Sequence, residues 1–141
     1  MNNLIKKHAK SFYWASFFLS KPVFNKCSSL YNFCRTLDDI VDDNKKLEIK
    51  KQNFLKYKKD FINKNSDNPI IKEMWSIIDE EKISKQVVMD LFDGVQTDLE
   101  EKVKFNSKKE LIIYSYRVAG TVGLMMSKIL KVNNREALKG A

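Results

Sequence analysis

The run Leu30-Tyr31-Asn32-Phe33-Cys34-Arg35-Thr36-Leu37-Asp38-Asp39-Ile40-Val41-Asp42-Asp43 constrains this chain more than any other. At helical spacing, Cys27, Leu30, Cys34, Leu37 and Val41 form an apolar stripe. Tyr31, Phe33 and Ile40 widen it until little of the circumference is plainly polar. A helix of that kind is buried on most sides, so other helices must pack around it. Yet it ends in the carboxylates Asp38, Asp39, Asp42 and Asp43, where the helix macrodipole disfavours negative charge by ~0.3–1 kcal/mol each. Within the helix, Arg35, one turn before Asp38, is the only counter-charge close to them. Stability alone would place Lys or Arg at that end. Asp38 and Asp42 are i,i+4 neighbours, with Cβ atoms roughly 6 Å apart on one face. Acidic clusters taken alone read most simply as solvated turns. The apolar surroundings and the adjacent arginine favour a hard divalent cation such as Mg²⁺, which is commonly bound by one or two carboxylates together with a substrate phosphate.

At 141 residues, with 43% hydrophobic and 11% aromatic residues, the chain reads as a single domain large enough for a real core. Only 4 Gly and 2 Pro interrupt it, which favours an all-helical chain. The net charge of +8 comes mostly from lysine and would suit nucleic acid, an anionic membrane or a polyanionic small molecule. Lysines dispersed over helix faces are more often plain solvated surface. Cys27 and Cys34 lie on one helix, roughly 10 Å apart along its axis. That separation is too long for a disulfide, so both read as buried thiols in a reducing compartment.

The N-terminal segment, basic and then apolar from Phe12 to Leu19, has the outline of a signal peptide. It lacks a small-residue cleavage site, and Ser11 and Ser16 break the run, so a first helix is the better reading. Ser20-Lys21-Pro22 opens the central helix. A Lys-rich amphipathic helix over Asn44–Asn63 is expected next, with Leu47, Phe54, Tyr57 and Phe61 inward. A turn ends at Pro69, the expected first residue of a short helix, and Ser84 caps the following one. That helix carries Val87 or Val88, Leu91, Val95 and Leu99 as its stripe. Gly94 inside it costs about 1 kcal/mol relative to Ala, which points to a close helix contact. The last long helix is expected from Lys108 to about Val132, with Ser115, Ala119, Gly123 and Ser127 on one face where a backbone or an apolar ligand could approach. Arg117 within this run favours a buried helix over a membrane span.

Three stretches, His8-Ala9-Lys10-Ser11-Phe12-Tyr13, Tyr31 to Asp43, and Tyr114-Ser115-Tyr116-Arg117-Val118-Ala119-Gly120-Thr121-Val122-Gly123, resemble the squalene/phytoene synthase family. Asp90-Leu91-Phe92-Asp93-Gly94 with Asp98-Leu99-Glu100 is similar to the segment that family carries between the last two. The resemblance covers essentially the whole chain. It implies an all-α isoprenoid-synthase-type helical array around an apolar cavity, and a prenyltransferase that condenses two prenyl diphosphates head to head through a cyclopropyl intermediate with Mg²⁺. NADPH enters only if the product is of the squalene type. Carried over by position, Asp38 and Asp42 match the first aspartate-rich motif as metal ligands, while Asp39 points elsewhere. Arg35 matches a diphosphate-contacting and catalytic arginine. His8 and Ser11 match the N-terminal motif lining the same pocket. Tyr114 matches a catalytic tyrosine near the reacting carbons, and Val118, Ala119, Gly120 and Gly123 match the substrate-binding cavity wall.

The family's second aspartate-rich motif does not appear, and Arg135 to Ala141 look like the opening of the helix that should carry it. Residues 1–141 are therefore expected to be the N-terminal portion of such a domain, incomplete at the C-terminus. The competing reading is a non-enzymatic helical remnant or binding subunit that pairs with a separately encoded C-terminal half or with another copy of itself. A nucleic-acid binder ranks last, because the most distinctive site is acidic. The expected partner is a prenyl diphosphate, and the expected location is cytoplasmic, with peripheral membrane association left open.

Overall fold

The computed structural model describes residues 17–99 and 105–139, and these are mainly helical, with no strand among them. The elements are α1 (Lys21–Asp42), α2 (Leu47–Ile62), α3 (Pro69–Glu80), α4 (Lys85–Asp98), α5 (Lys108–Ser115), a π-helical turn (Tyr116–Gly120) and α6 (Thr121–Lys139). The helix expected at the N-terminus, with His8 and Ser11, lies outside the described residues.

Helix α1 is the axis of the array, touching α2, α3, α4 and α6. Its buried side chains are Val23, Cys27, Leu30, Phe33, Cys34, Leu37, Asp38 and Val41, the expected stripe with Val23, Phe33 and one carboxylate added, while Tyr31 and Ile40 are only half-buried. Pro22 sits in its first turn, and the Phe24 amide donates to Ser20 O at 2.9 Å. Helix α2 turns Phe54, Tyr57 and Phe61 inward, while Leu47 stays half-buried. Their rings meet Phe33 and Phe92 with centroids 5.3–6.1 Å apart, and Trp75 stacks on Phe61 at 4.8 Å. Two polar handles fix this aromatic core. Tyr57 Oη donates to Phe33 O at 3.0 Å, and Trp75 Nε1 donates to Phe61 O at 2.8 Å. Both pair a buried side-chain donor that would otherwise be left without a partner. Cys27 and Cys34 are free and buried, as their spacing requires.

The helix starts are set by short polar caps. Asn68 Oδ1 accepts from the amides of Ile70 and Ile71 ahead of α3, with Pro69 in the first turn. Ser84 Oγ accepts from Gln86 N, and Ser107 Oγ accepts from Glu110 N. Each relieves an amide with no partner inside its helix. The ends of α2 and α3 are less conventional. Lys64 and Lys82, both at φ 53, take the left-handed position that glycine usually fills. The Asn65 amide reaches back to Asp60 O and the Ile83 amide to Ile78 O, closing both helices. Glu81, 4% exposed, is drawn inward at the end of α3, where Lys26 of α1 binds it at 2.6 Å.

The expected single helix from Lys108 is broken by the π turn, which adds a residue to one turn and shifts the faces presented by α6. Helix α6 then continues through Lys139, so residues 135–139 extend it and do not open a new helix. No helix among the described residues is long and apolar enough to cross a membrane.

Candidate active site

Two features of α1 meet at its C-terminal end. The inner face of the helix is buried while Asn25, Asn32, Arg35 and Asp39 keep its outer side exposed, and its last turn is acidic without a basic residue. Asp38 therefore lies inside, 3% exposed, while Asp42, one turn on, is exposed. Burial, and next the charge of Asp42 together with a hydrogen bond between the two, push the Asp38 carboxyl up to about 7. Cys34, one turn earlier, is pushed up to about 12 by burial and by Asp38. Asp38 therefore keeps its proton to higher pH than an ordinary aspartate.

Helix α4 and the segment after Ser107 supply the facing groups. Tyr114 Oη donates to Asp98 Oδ1. Burial, and more weakly Asp42, raise Asp98, against the Tyr114 hydroxyl, which lowers it. Tyr114 is raised by burial and by Asp98, with Asp42 again contributing. Asp42 is thus within electrostatic reach of both members of the Tyr114–Asp98 pair. Asp38, Asp42, Asp98 and Tyr114 make one linked group drawn from α1, α4 and α5. Beside it, a concavity of about 290 Å³ is lined by Thr97, Phe105, Glu110, Ile113, Tyr114 and Arg117. Phe105 stands against the Tyr114 ring at 5.1 Å between centroids.

The squalene/phytoene synthase family model matches residues 5–141. The chain belongs to the squalene/phytoene synthase family. It is 30% identical over 145 residues to the bifunctional lycopene cyclase/phytoene synthase of Leptosphaeria maculans, an alignment covering 89% of this chain and 25% of that protein. It is 28% identical to the protein of the same description from Pyrenophora tritici-repentis, over 91% of this chain and 25% of the relative. It is 26% identical to phytoene synthase 1, chloroplastic, of Zea mays, over 92% of this chain and 32% of the relative. The chain spans about a quarter to a third of the length of these curated relatives. No solved structure matches it significantly.

Within this family member, the residues singled out by sequence separate into three groups. Asp38, Asp42 and Tyr114 are gathered at one site, with Asp98 as the link. Arg35 and Asp39 lie on the outer side of α1, where Arg35 Nε approaches Asp39 Oδ2 at 3.9 Å and Arg35 Nη1 donates to Tyr31 Oη at 3.0 Å. Both side chains of that ion pair are about half exposed. Asp39 does point away from Asp38, and Arg35 goes with it. The third group is the wall. Val118 and Gly120 are half-buried, but Ala119 and Gly123 are exposed, as are Ser115 and Ser127. A Cβ on Gly123 would meet nothing within 4 Å. The close approach expected along that small-residue face occurs instead at Gly94 of α4. A Cβ there would lie 2.5 Å from Arg117 Cβ and 3.0 Å from Val118 Cγ1.

Among the described residues, no group of three or more His, Cys, Asp or Glu side chains is arranged to hold a metal ion by itself. The Asp38–Asp42 pair fits the other mode of Mg²⁺ binding, in which one or two carboxylates share the ion with water and substrate phosphate. The donor set is hard oxygen, and burial together with Asp42 holds the Asp38 carboxyl above the usual carboxylate range. Asp98 is the residue that sequence reasoning left without a role. Its signal was present in the i,i+4,i+8 series Asp90, Gly94, Asp98, which puts two acids and a notch on one face of α4.

Proposed function

We propose that the chain contributes the first carboxylate half of a prenyl-diphosphate-condensing site that joins two prenyl diphosphates head to head with Mg²⁺. The observation that carries this is the buried Asp38 paired with Asp42, which in turn lies within electrostatic reach of the Asp98-bonded Tyr114. Asp38 and Asp42 are the residues that would hold Mg²⁺. When bound, the ion neutralises the diphosphate so that it can leave as a weakly basic anion. Asp42 would offer its carboxylate to the ion from the exposed rim, and Asp38 would offer its own from within. Tyr114 presents its ring and phenol oxygen beside this pair, where the positive charge left on the allylic carbons would develop. Val118, packed against Gly94, gives the apolar surface below. Arg35 stays on the outer side of α1 unless a substrate draws it from Asp39.

Turnover by the whole relatives is a property of chains three to four times as long, so the test begins with binding. The chain is titrated with a prenyl diphosphate by calorimetry with Mg²⁺ and with EDTA, alongside Asp38→Asn and Asp42→Asn. Diphosphate release is followed in parallel, with and without the remaining portion of a family member supplied separately. The expected result is Mg²⁺-dependent binding that both substitutions reduce at least about tenfold, as loss of a charged ligand should. Equal binding in EDTA, or by Asp38→Asn, overturns the reading. Binding with no diphosphate release under either condition leaves the chain a binding subunit, the non-enzymatic alternative.

A further inference from the structure

Helix α4 and the run from Tyr114 to Val118 meet over three successive turns of α4, each time through a different residue of one face. Asp90, Gly94 and Asp98 lie at i, i+4 and i+8 and so stand in line. At one end, Tyr116 Oη donates to Asp90 Oδ2 at 3.2 Å. In the middle, Gly94 leaves the space that a Cβ would otherwise contest with Arg117 and Val118. At the other end, Tyr114 Oη donates to Asp98 Oδ1. Tyr114 and Tyr116 leave their helix on nearly opposite sides at about 100° per residue, yet both hydroxyls end on α4. The segment is therefore seated by the glycine notch and held on both flanks by tyrosine–aspartate bonds. The π turn beginning at Tyr116 is where its backbone yields to allow this.

The two bonds differ in setting. Tyr116 is 41% exposed, and its bond to Asp90 is a surface contact. The Tyr114–Asp98 bond is part-buried and lies beside Asp42. A phenol has one proton to donate, and here the proton is committed to Asp98. The remaining lone pairs of the phenol oxygen are free for whatever sits on its other side, so Tyr114 acts there as an acceptor and an electron-rich neighbour. It cannot at the same time donate to a diphosphate.

We propose that Asp98 is a positioning residue for prenyl transfer: by accepting the Tyr114 proton, it fixes the phenol so that its oxygen faces the developing allylic cation. Asp98 touches Tyr114 and not the substrate. The inference rests on the prenyl-transfer reading above, and its test separates the two. The first measurement needs no substrate. In protein labelled at the tyrosine ζ carbon, the Tyr114 resonance is assigned by its loss in Tyr114→Phe. It should shift clearly in Asp98→Ala and less in Asp98→Asn, which keeps an acceptor oxygen. An unmoved Tyr114 resonance in Asp98→Ala overturns the proposal, whatever the protein catalyses.

The second measurement is single-turnover release of diphosphate from a prenyl diphosphate with Mg²⁺, using the chain together with the supplied remainder of a family member. Asp98→Ala should slow the chemical step by about 10–100-fold, the penalty expected of a reacting group held out of line. Substrate affinity should stay within about threefold, and Asp98→Asn should recover part of the rate. The Asp98→Ala/Tyr114→Phe double variant should be no slower than Tyr114→Phe alone, because both remove one unit. Additive losses, or a loss confined to substrate affinity, overturn the proposal while leaving the prenyl-transfer reading intact. A shifted Tyr114 resonance with no diphosphate release by the parent protein refutes the catalytic role together with the function it depends on. Urea midpoints recorded for every variant identify any loss due to unfolding, and Asp98→Asn, the mildest change, then decides.

Discussion

Replacing Asp38 by Asn should make the metal-free protein more stable at neutral and alkaline pH, and the structure sets the scale. The carboxyl is 3% exposed and pushed up to about 7 from an ordinary 3.8, by burial first and by Asp42 second. A group whose folded-state value exceeds its unfolded value retains a proton in the folded state that the unfolded chain has released. For an acid, that makes stability fall as pH rises from about 4 to about 7, with the full penalty present above 7. At ~1.4 kcal/mol per pKa unit the ceiling is on the order of 4 kcal/mol. Asparagine keeps the shape and can donate to Asp42 without carrying charge. The expected gain is thus about 2–4 kcal/mol at pH 8 and under about 1 kcal/mol at pH 4. Urea unfolding of both proteins in EDTA, at several pH values across this range, measures the difference directly. Mg²⁺ with a diphosphate should raise the midpoint of the parent and leave Asp38→Asn where it was, since only a ligand of the folded state shifts the equilibrium. An Asp38→Asn protein equal to or weaker than the parent at pH 8 would refute the argument that this carboxylate is stored at a cost.

Three further outcomes rest on packing. Gly94→Ala should cost about 1–3 kcal/mol in urea unfolding, because the new methyl lands 2.5 Å from Arg117 Cβ and the π turn must move. Lys26→Met should cost about 3–5 kcal/mol, since it strands the buried Glu81 carboxylate, whose Oε2 already has no hydrogen-bond partner; the Lys26→Met/Glu81→Leu pair should recover most of that. Trp75→Phe should cost about 1–3 kcal/mol, because it keeps the stack on Phe61 but leaves Phe61 O without its indole donor.

The legible parts of the fold were those written into neighbouring residues. Pro22, Asn68-Pro69, Ser84 and the stripe Cys27–Val41 announce themselves within a turn or two, because caps and helical periodicity are local chemistry. The places where sequence reasoning fell short depend on residues far apart in the chain. Lys64 and Lys82 take left-handed positions that no glycine advertises, and Glu81 is buried only because Lys26, 55 residues earlier, meets it. The long C-terminal helix was legible as far as about Val132, but neither its π turn nor its continuation to Lys139 was. The turn answers to the Gly94 notch on another helix, and the same shift in face leaves Ala119 and Gly123 exposed. At the site, the spacing of Asp38 and Asp42 showed that they share a face. It could not show that one would be buried and the other exposed, because that depends on how α4 and α6 close over α1. Arg35 illustrates the same limit. One turn from both Asp38 and Asp39, it was free by sequence to pair with either, and the burial of Asp38 leaves Asp39 as the reachable partner.

These particulars bear on why the acids are arranged as they are. Asp38, Asp42 and Asp98 come from two helices, and the two with raised values, Asp38 and Asp98, both owe them first to burial and in part to Asp42. A core shaped for stability alone would have replaced one or more of them, given that a buried carboxylate without a cation is disfavoured by several kcal/mol. The strong parts of the fold lie elsewhere, in the rings of Phe33, Phe54, Tyr57, Phe61, Trp75 and Phe92 on the α2 and α3 side of α1. One side of the central helix therefore holds the fold while the far end of it carries concentrated negative potential. That division suits the proposed site, to which a cation bound together with an anionic substrate would bring the missing positive charge. On the proposed reading, the Tyr114–Asp98 bond has a reason for lying at that end: it would hold the phenol oxygen turned in advance toward a carbon on which charge would develop.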